Sequence, residues 1–360
     1  MLMEKRTLGR TGLEVGVIGL GTEHLIPEPG NVDAILDLSV EAGLNYIDLI
    51  FNDLFADVFK GVGDYWDALG PAIRRHRDNL TLCLHWGTLY EQPLDLCQEA
   101  FNTTLKYLGN DYAEIGMVSM VDTQAQWANW ATKAIERLEG YRREGRIGYI
   151  GLSNHNPEVA RMAVESGLID VLMFPVNLYQ HPSNPTRAAL LNACQEHQVG
   201  VIAMKPYYGG ILLQKNGMPT GITPVQCLHY ALSQPVAAAV PGARDVKHLQ
   251  EALAYLSAST EEKSFSAFQE GLEYWLQGQC VRCKHCLPCP QEIHIPSVLY
   301  LLDYMEYFGL STMHQQYNRS LYDELSVKAS DCIECEICMD RCPFDVDIIG
   351  KMRRAVEVFE

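Results

Sequence analysis

The sequence predicts an α/β fold: a closed (β/α)8 barrel followed by a small helical metal-binding domain. Three observations predict it. Eight short apolar runs rich in β-branched residues punctuate roughly the first 245 residues, amphipathic stretches separate them, and eight of the twelve cysteines fall in two runs near the C-terminus. Short, fully apolar strands alternating with amphipathic helices indicate a parallel sheet covered by helices. Eight such units fit a barrel of about 250 residues. An open doubly wound sheet is the alternative, but no G-x-G-x-x-G follows the first strand run.

In chain order the strand runs are VGVIGL (15–20), NYIDLIF (45–51), LTLCLHW (80–86) and EIGMVSMV (114–121), then IGYIGLSN (147–154), VLMFPVN (171–177), VGVIAMKP (199–206) and AAAVPG (237–242). Helical periodicity marks Ala125–Arg146, Pro157–Ser166, Thr186–His197 and Thr223–Leu232 between them. Val246–Leu256 and Phe265–Leu276 read as further helices. Between the cysteine runs, Pro296–Lys328 reads as helical, with an aromatic stripe (Tyr300, Tyr304, Tyr307, Phe308, Tyr317, Tyr322) that predicts packing of the tail. The expected boundaries are 1–264 for the barrel and 265–360 for the cysteine domain.

The chain has 360 residues, enough to bury a sizeable core. A formal charge of -17 argues against nucleic acid and anionic membranes as partners, since both need basic patches. No apolar run approaches the roughly 18 residues of a membrane span. The chain opens without a secretory signal pattern, so its paired cysteines are expected to be metal or redox ligands in a reducing cytoplasm.

The second cysteine run is C-x2-C-x2-C-x3-C-P: Cys332, Cys335, Cys338, Cys342 and Pro343. That spacing wraps three thiolates around one [4Fe–4S] cube and sends the fourth to another. The first run, Cys280, Cys283, Cys286, Cys289 and Pro290, is one residue shorter before its last cysteine. Two clusters with crossed ligation are expected, one on Cys280, Cys283, Cys286 and Cys342, the other on Cys332, Cys335, Cys338 and Cys289. Structural zinc sites also use C-x2-C pairs, but zinc needs neither four cysteines per run nor the following proline. Clusters move single electrons, so redox chemistry is the expected role; a purely structural staple is the alternative.

The segments MEKRTLGRTGLEVGVIGLGT, AGLNYIDL, DYAEIGMVSMVD, EGRIGYIGLSNHN, VGVIAMKPYYGG and VPGARDVKHLQEAL, in this order, resemble the aldo-keto reductase superfamily over roughly residues 3–256. The tail resembles the branch of that family with a C-terminal ferredoxin-type domain. The resemblance implies a TIM-type barrel with an N-terminal β-hairpin beneath it. It also implies NADPH-dependent carbonyl reduction at the C-terminal strand ends, where a tyrosine acid is tuned by an aspartate, a lysine and a histidine.

The residues follow that pattern only in part. Asp48 matches the family aspartate, but Asp53 stands where the tyrosine belongs, His85 where the lysine does and Ser119 where the histidine does. Tyr65 or Tyr207 would need a loop rearrangement to replace the tyrosine, and the reading adopted is that neither does. Ser153 and Asn154 match the pair that holds the nicotinamide amide, while Met173 replaces the expected glutamine. Tyr207 lies near the ring-stacking position and Arg244 near the one that meets the adenosine phosphate; His248 and Ala252 replace the adenine clamp.

Read without the family, the strand ends carry Thr22, Glu23, His24, Asp48, Asp53, His85, Ser119, Asn154, His155, Asn177, Lys205 and Arg244. Asp48 with His85 forms the favoured acid–base pair, and Lys205 or Arg244 suits an anionic group. Glu23, His24, His85 and His155 are a possible metal donor set. The leading expectation is an iron–sulfur oxidoreductase acting on a small organic molecule, fed by a soluble ferredoxin or flavodoxin, with a flavin or NADPH as possible further cofactor. The alternatives are an NADPH-dependent carbonyl reductase with a replacement acid, and a non-catalytic electron-carrier or binding protein.

Overall fold

The computed structural model describes residues 3–50, 62–87, 92–109, 111–179, 185–215, 218–266, 278–280, 282–307 and 312–360. The chain divides into two compact units, one of Met1–Leu178 with Thr186–Ser264, the other of Tyr179–Pro185 with Phe265–Glu360.

The first unit opens with an antiparallel hairpin, β1 (Lys5–Thr7) and β2 (Glu14–Gly16), in which Lys5 pairs with Gly16. Eight parallel strands follow in sequential order: β3 (Leu20–Gly21), β4 (Tyr46–Leu49), β5 (Thr81–Trp86), β6 (Ala113–Val118), β7 (Ile147–Ser153), β8 (Val171–Pro175), β9 (Gly200–Met204) and β10 (Ala238–Val240). The apolar runs become the strands because burial on both faces removes any need for a polar alternation. The ends of the sheet meet through parallel bridges, Ile18 to Ala239 and Gly21 to Gly242. The Gly19 and Ala239 amides close the seam, donating to the Ala239 and Val17 carbonyls at 2.9 Å each. Closure removes the open edges that a sheet of this width would otherwise expose.

Helices α1 (Pro29–Glu41), α2 (Val62–His76), α3 (Leu94–Tyr107), α4 (Thr132–Arg143), α5 (Pro157–Glu165), α6 (Pro185–Glu196), α7 (Pro224–Leu232) and α8 (Val246–Leu253) alternate with the strands. Their starts are written locally. Asn156 accepts from the Glu158 amide at 3.0 Å ahead of Pro157, and Thr223 with Gln226 forms a capping box ahead of Pro224.

The barrel interior is a packed core. Tyr46, Cys83, Ile115, Met117, Val171, Met173, Ile202, Met204 and Val240 meet there, and Leu8 and Val15 from the hairpin segment plug one end. Gly9, with φ +53°, makes that plug possible: a Cβ at this position would lie 2.3 Å from the Gly200 amide nitrogen. Because side chains alternate along a strand, Tyr46 and Asp48 on β4 share a face, as do Cys83 and His85 on β5. The lower member of each pair belongs to the core, and the upper member reaches the C-terminal mouth.

The second unit contains α9 (Ile295–Tyr307), α10 (Thr312–Asp323) and α11 (Ile348–Phe359). The helical stretch expected over 296–328 is present as α9 and α10; residues 308–311 lie outside the described residues. The expected helix Phe265–Leu276 lies largely outside the described residues. Part of the aromatic stripe does pack the tail: Tyr322 stacks on Phe359 with ring centroids 4.4 Å apart, and its hydroxyl donates to Glu360 at 2.5 Å. Asp303 on α9 is nearly fully buried and pairs with Arg282 at 3.2 Å and Lys351 at 2.7 Å. Among the described residues no helix is long and apolar enough to cross a membrane.

Candidate functional site

Parallel register sets three polar side chains in a row. Asp48 pairs with Cys83 across β4 and β5, placing His85 one step beyond toward the mouth. Ser119 follows the last residue of β6, and its amide donates to the Trp86 carbonyl at 3.2 Å. The result is a continuous chain. His85 Nε2 lies 3.0 Å from Asp48 Oδ1, and His85 Nδ1 lies 3.0 Å from Ser119 Oγ. All three residues are buried. A carboxylate only accepts, so with Nε2–H donating to Asp48 the other ring nitrogen accepts from the serine hydroxyl. An acid, an imidazole and a hydroxyl in series can move a proton to or from an oxygen atom placed at Ser119.

Tyr65, carried by α2, also reaches these strand ends. Its hydroxyl lies 2.5 Å from Thr22 Oγ1, which donates to the Asp48 carbonyl at 2.6 Å. Burial pushes the phenol pKa well up, and the Asp48 and Glu23 charges add to the rise, against the lowering effect of the Thr22 hydrogen bond. A tyrosine acid needs the opposite treatment. Asp53, expected beside this group, lies outside the described residues.

A second polar chain follows β6, β7 and β9. The Asp122 carboxylate accepts from the His155 amide at 2.6 Å and pairs with His155 Nδ1 at 3.0 Å, while Lys205 Nζ lies 3.3 Å from His155 Nε2. Burial works to raise the Asp122 carboxyl, but His155 and Lys205 outweigh it and hold the group below the usual carboxylate range. Lys205 sits at φ +51°, in the left-handed region that a non-glycine residue occupies only when its surroundings enforce it. Asn177 is fully buried and donates to the Lys205 carbonyl at 3.1 Å.

The other expected cofactor contacts divide. Ser153 and Asn154 are buried at the end of β7; the Asn154 amide nitrogen bonds the Val121 carbonyl, and its oxygen has no partner among the described residues. The Tyr207 hydroxyl is also buried without a partner among the described residues. Arg244 is exposed, its carbonyl accepting from the Ile26 amide at 3.0 Å and from Asn31 Nδ2 at 2.9 Å. His248 is bound to the helix-capping Asp245 at 2.7 Å.

The expected metal set of Glu23, His24, His85 and His155 is not assembled. Among the described residues, His85 is instead grouped with Asp48 and Cys83. His24 is exposed at the surface and His155 is engaged by Asp122 and Lys205, which leaves neither available to His85. Sequence reasoning named Tyr65 only to set it aside, and missed Cys83 and Asp122. Only Cys83 carried a signal, two positions before His85 on the same strand face.

In the second unit the eight cysteines line two chambers. Cys280, Cys283, Cys286 and Cys342 line one of about 320 Å³, its open mouth included, with Pro296, Leu299 and Phe344. Cys289, Cys332, Cys335 and Cys338 line another of about 390 Å³, with Ile293, Ile295, Ile348 and Met352; Cys286 touches both. The backbone turns left-handed at Arg282, Lys284, Glu334 and Glu336, between the cysteines. Such alternating turns make concave sites that suit anions. Four thiols, apolar walls and concave backbone fit an anionic cubane cluster in each chamber.

Two family models match the chain: the aldo/keto reductase family over residues 13–226, and a 4Fe-4S dicluster domain over residues 279–347. The chain is 26% identical over 225 residues to the uncharacterized oxidoreductase YqkF of Bacillus subtilis, a match spanning 59% of this chain and 68% of that protein. Its structure is similar to that of aldo-keto reductase AKR11C1 from Bacillus halodurans in the holo form. That similarity has a TM-score of 0.59 at 22% identity and covers 74% of this chain and 96% of the other.

Proposed function

Since the chain belongs to the aldo/keto reductase family and is an oxidoreductase with a 4Fe-4S dicluster domain, we propose that it acts on a small organic substrate at the C-terminal strand ends, with Asp48, His85 and Ser119 as its proton path and two [4Fe–4S] clusters as its electron path. The observation that carries this reading is the buried Asp48–His85–Ser119 chain, which occupies three of the four positions where the family's acid machinery is expected.

Ser119 presents the hydroxyl that meets the substrate oxygen. For reduction His85 carries a proton on both ring nitrogens: Nδ1–H replaces the proton that Ser119 gives up, while Asp48 accepts from Nε2–H. Reduction of a carbonyl to an alcohol takes up two electrons and two protons; Ser119 gives the proton taken by oxygen, and water at the strand ends gives the one taken by carbon. When bound, the clusters supply electrons one at a time. Cys280, Cys283, Cys286 and Cys342 would hold one, and Cys289, Cys332, Cys335 and Cys338 the other. A soluble ferredoxin or flavodoxin is the proposed donor. Lys205, tied to Asp122 through His155, is the proposed contact for an anionic group of the substrate or of a further cofactor, NADPH or a flavin. Ser153, Asn154, Tyr207 and Arg244 are its remaining proposed contacts.

A second reading keeps NADPH-dependent carbonyl reduction with Tyr65 as the acid. Its placement at Thr22 favours it, but burial and neighbouring negative charge make that phenol a poorer acid.

The test uses cluster-loaded protein reduced anaerobically with dithionite and no nucleotide, mixed with a panel of small aldehydes and ketones. Cluster reoxidation matched by alcohol formation is expected, slowed by about 10²–10⁴-fold in His85→Gln. Turnover that requires NADPH and survives removal of the clusters would instead establish the second reading.

A further inference from the structure

We infer that Asp48, Cys83 and His85 form a binding site for one divalent metal ion of the zinc class at the mouth of the barrel. A carboxylate oxygen, the cysteine sulfur and an imidazole nitrogen all lie within 4.8 Å of one another, and all three residues are buried. The strand register makes the group: Asp48 and Cys83 are partners on adjacent strands, and His85 stands two residues further along the same face.

The chemistry of the donors selects the ion. Oxygen, sulfur and nitrogen ligands in one compact set suit zinc or its chemical relatives rather than magnesium or calcium, which take oxygen alone. Charge balance points the same way. A carboxylate and a thiolate together carry two negative charges, so a divalent ion leaves the buried group neutral. Binding releases the Cys83 thiol proton and moves the His85 proton from Nε2 to Nδ1, so one proton leaves per ion bound.

Two surrounding features suit the metal-bound form. His85 Nδ1 already faces Ser119 Oγ at 3.0 Å, and that hydroxyl lies 3.4 Å from the Gly87 carbonyl. A protonated Nδ1 would therefore donate to Ser119, and Ser119 to Gly87, holding the ring with Nε2 turned to the ion. Independently, the Tyr46 hydroxyl is fully buried, finds no oxygen or nitrogen partner among the described residues, and has Cys83 and Asp48 as neighbours. A thiolate at Cys83 would accept from it more strongly than the neutral thiol can.

The ion and the Nε2 proton exclude each other, so occupation interrupts the proton path proposed above. The site stands apart from the redox reading because metal retention is measured without turnover. Full-length, cluster-loaded protein is dialysed anaerobically against Co²⁺, freed of excess metal, and analysed for cobalt and iron separately. The expected result is one cobalt per chain with iron unchanged, and a cobalt X-ray absorption edge fitted by a single sulfur with nitrogen and oxygen. Cys83→Ala should lose the cobalt and keep the iron, and Ser119→Ala should weaken cobalt binding by about 10–100-fold. No retained cobalt, equal retention in Cys83→Ala, or an edge fitted by four sulfurs would each overturn the site. The edge of the wild-type protein decides alone if Cys83→Ala does not fold.

Discussion

His85 Nε2 lies 3.0 Å from Asp48 Oδ1, a buried contact between adjacent parallel strands at the barrel mouth. Neither residue is placed by its own loop; strand register places both. His85→Gln and Asp48→Asn should each lower turnover by about 10²–10⁴-fold. His85→Ala should also destabilise the fold by about 1–3 kcal/mol, because it leaves buried Asp48 short of a donor. Steady-state rates beside thermal melts separate the two effects. Wild-type turnover in His85→Gln would remove the histidine from the mechanism.

Cys342 lines the chamber of the first cysteine run, and Cys289 lines that of the second. Cys342→Ser should therefore disturb the same cluster as Cys283→Ser, and Cys289→Ser the same one as Cys338→Ser. Electron paramagnetic resonance of the reduced variants, with iron analysis, groups them. Grouping by run instead would mean that ligation is not crossed.

Asp303 accepts from both Arg282 and Lys351, and its side chain is 5% exposed. Breaking a fully buried pair costs about 3–5 kcal/mol. Both cations here retain some solvent, so Asp303→Ala should destabilise the second unit by about 2–3 kcal/mol. Arg282 stands between Cys280 and Cys283, so iron should be lost first from that chamber. Chemical denaturation followed by cluster absorbance measures both, and an unchanged midpoint would show the network to be dispensable.

Asp122 contributes pH-dependent stability. Its carboxyl is pushed up by burial but held low overall by His155 and Lys205. For a depressed carboxyl, the stabilisation is complete above the unfolded value of about 3.9 and is lost as pH falls through the lower folded value. Asp122→Asn should therefore melt below wild type at neutral pH, and the gap should close as the pH drops below about 4. A gap that widens in acid would reverse the sign of this coupling.

The eight strands could be read locally because each is a short apolar run between helical stretches, and β4 through β9 fall within or beside the runs that mark them. The cysteine chambers could be read for the same kind of reason: the C-x2-C-x2-C spacing is itself the geometry of a turn around a cluster.

Composition and spacing by themselves determined the fold class, the number of barrel strands and the cysteine set, since all of these depend on neighbours in the chain. Tertiary structure alone decided which polar groups meet. Asp48, Cys83 and His85 come from two strands and Ser119 from just past the end of a third, and Tyr65 returns to Thr22 from a helix beyond the second barrel strand. Their contacts depend on register and barrel closure, and those are set by packing across the whole interior rather than by any local sequence pattern.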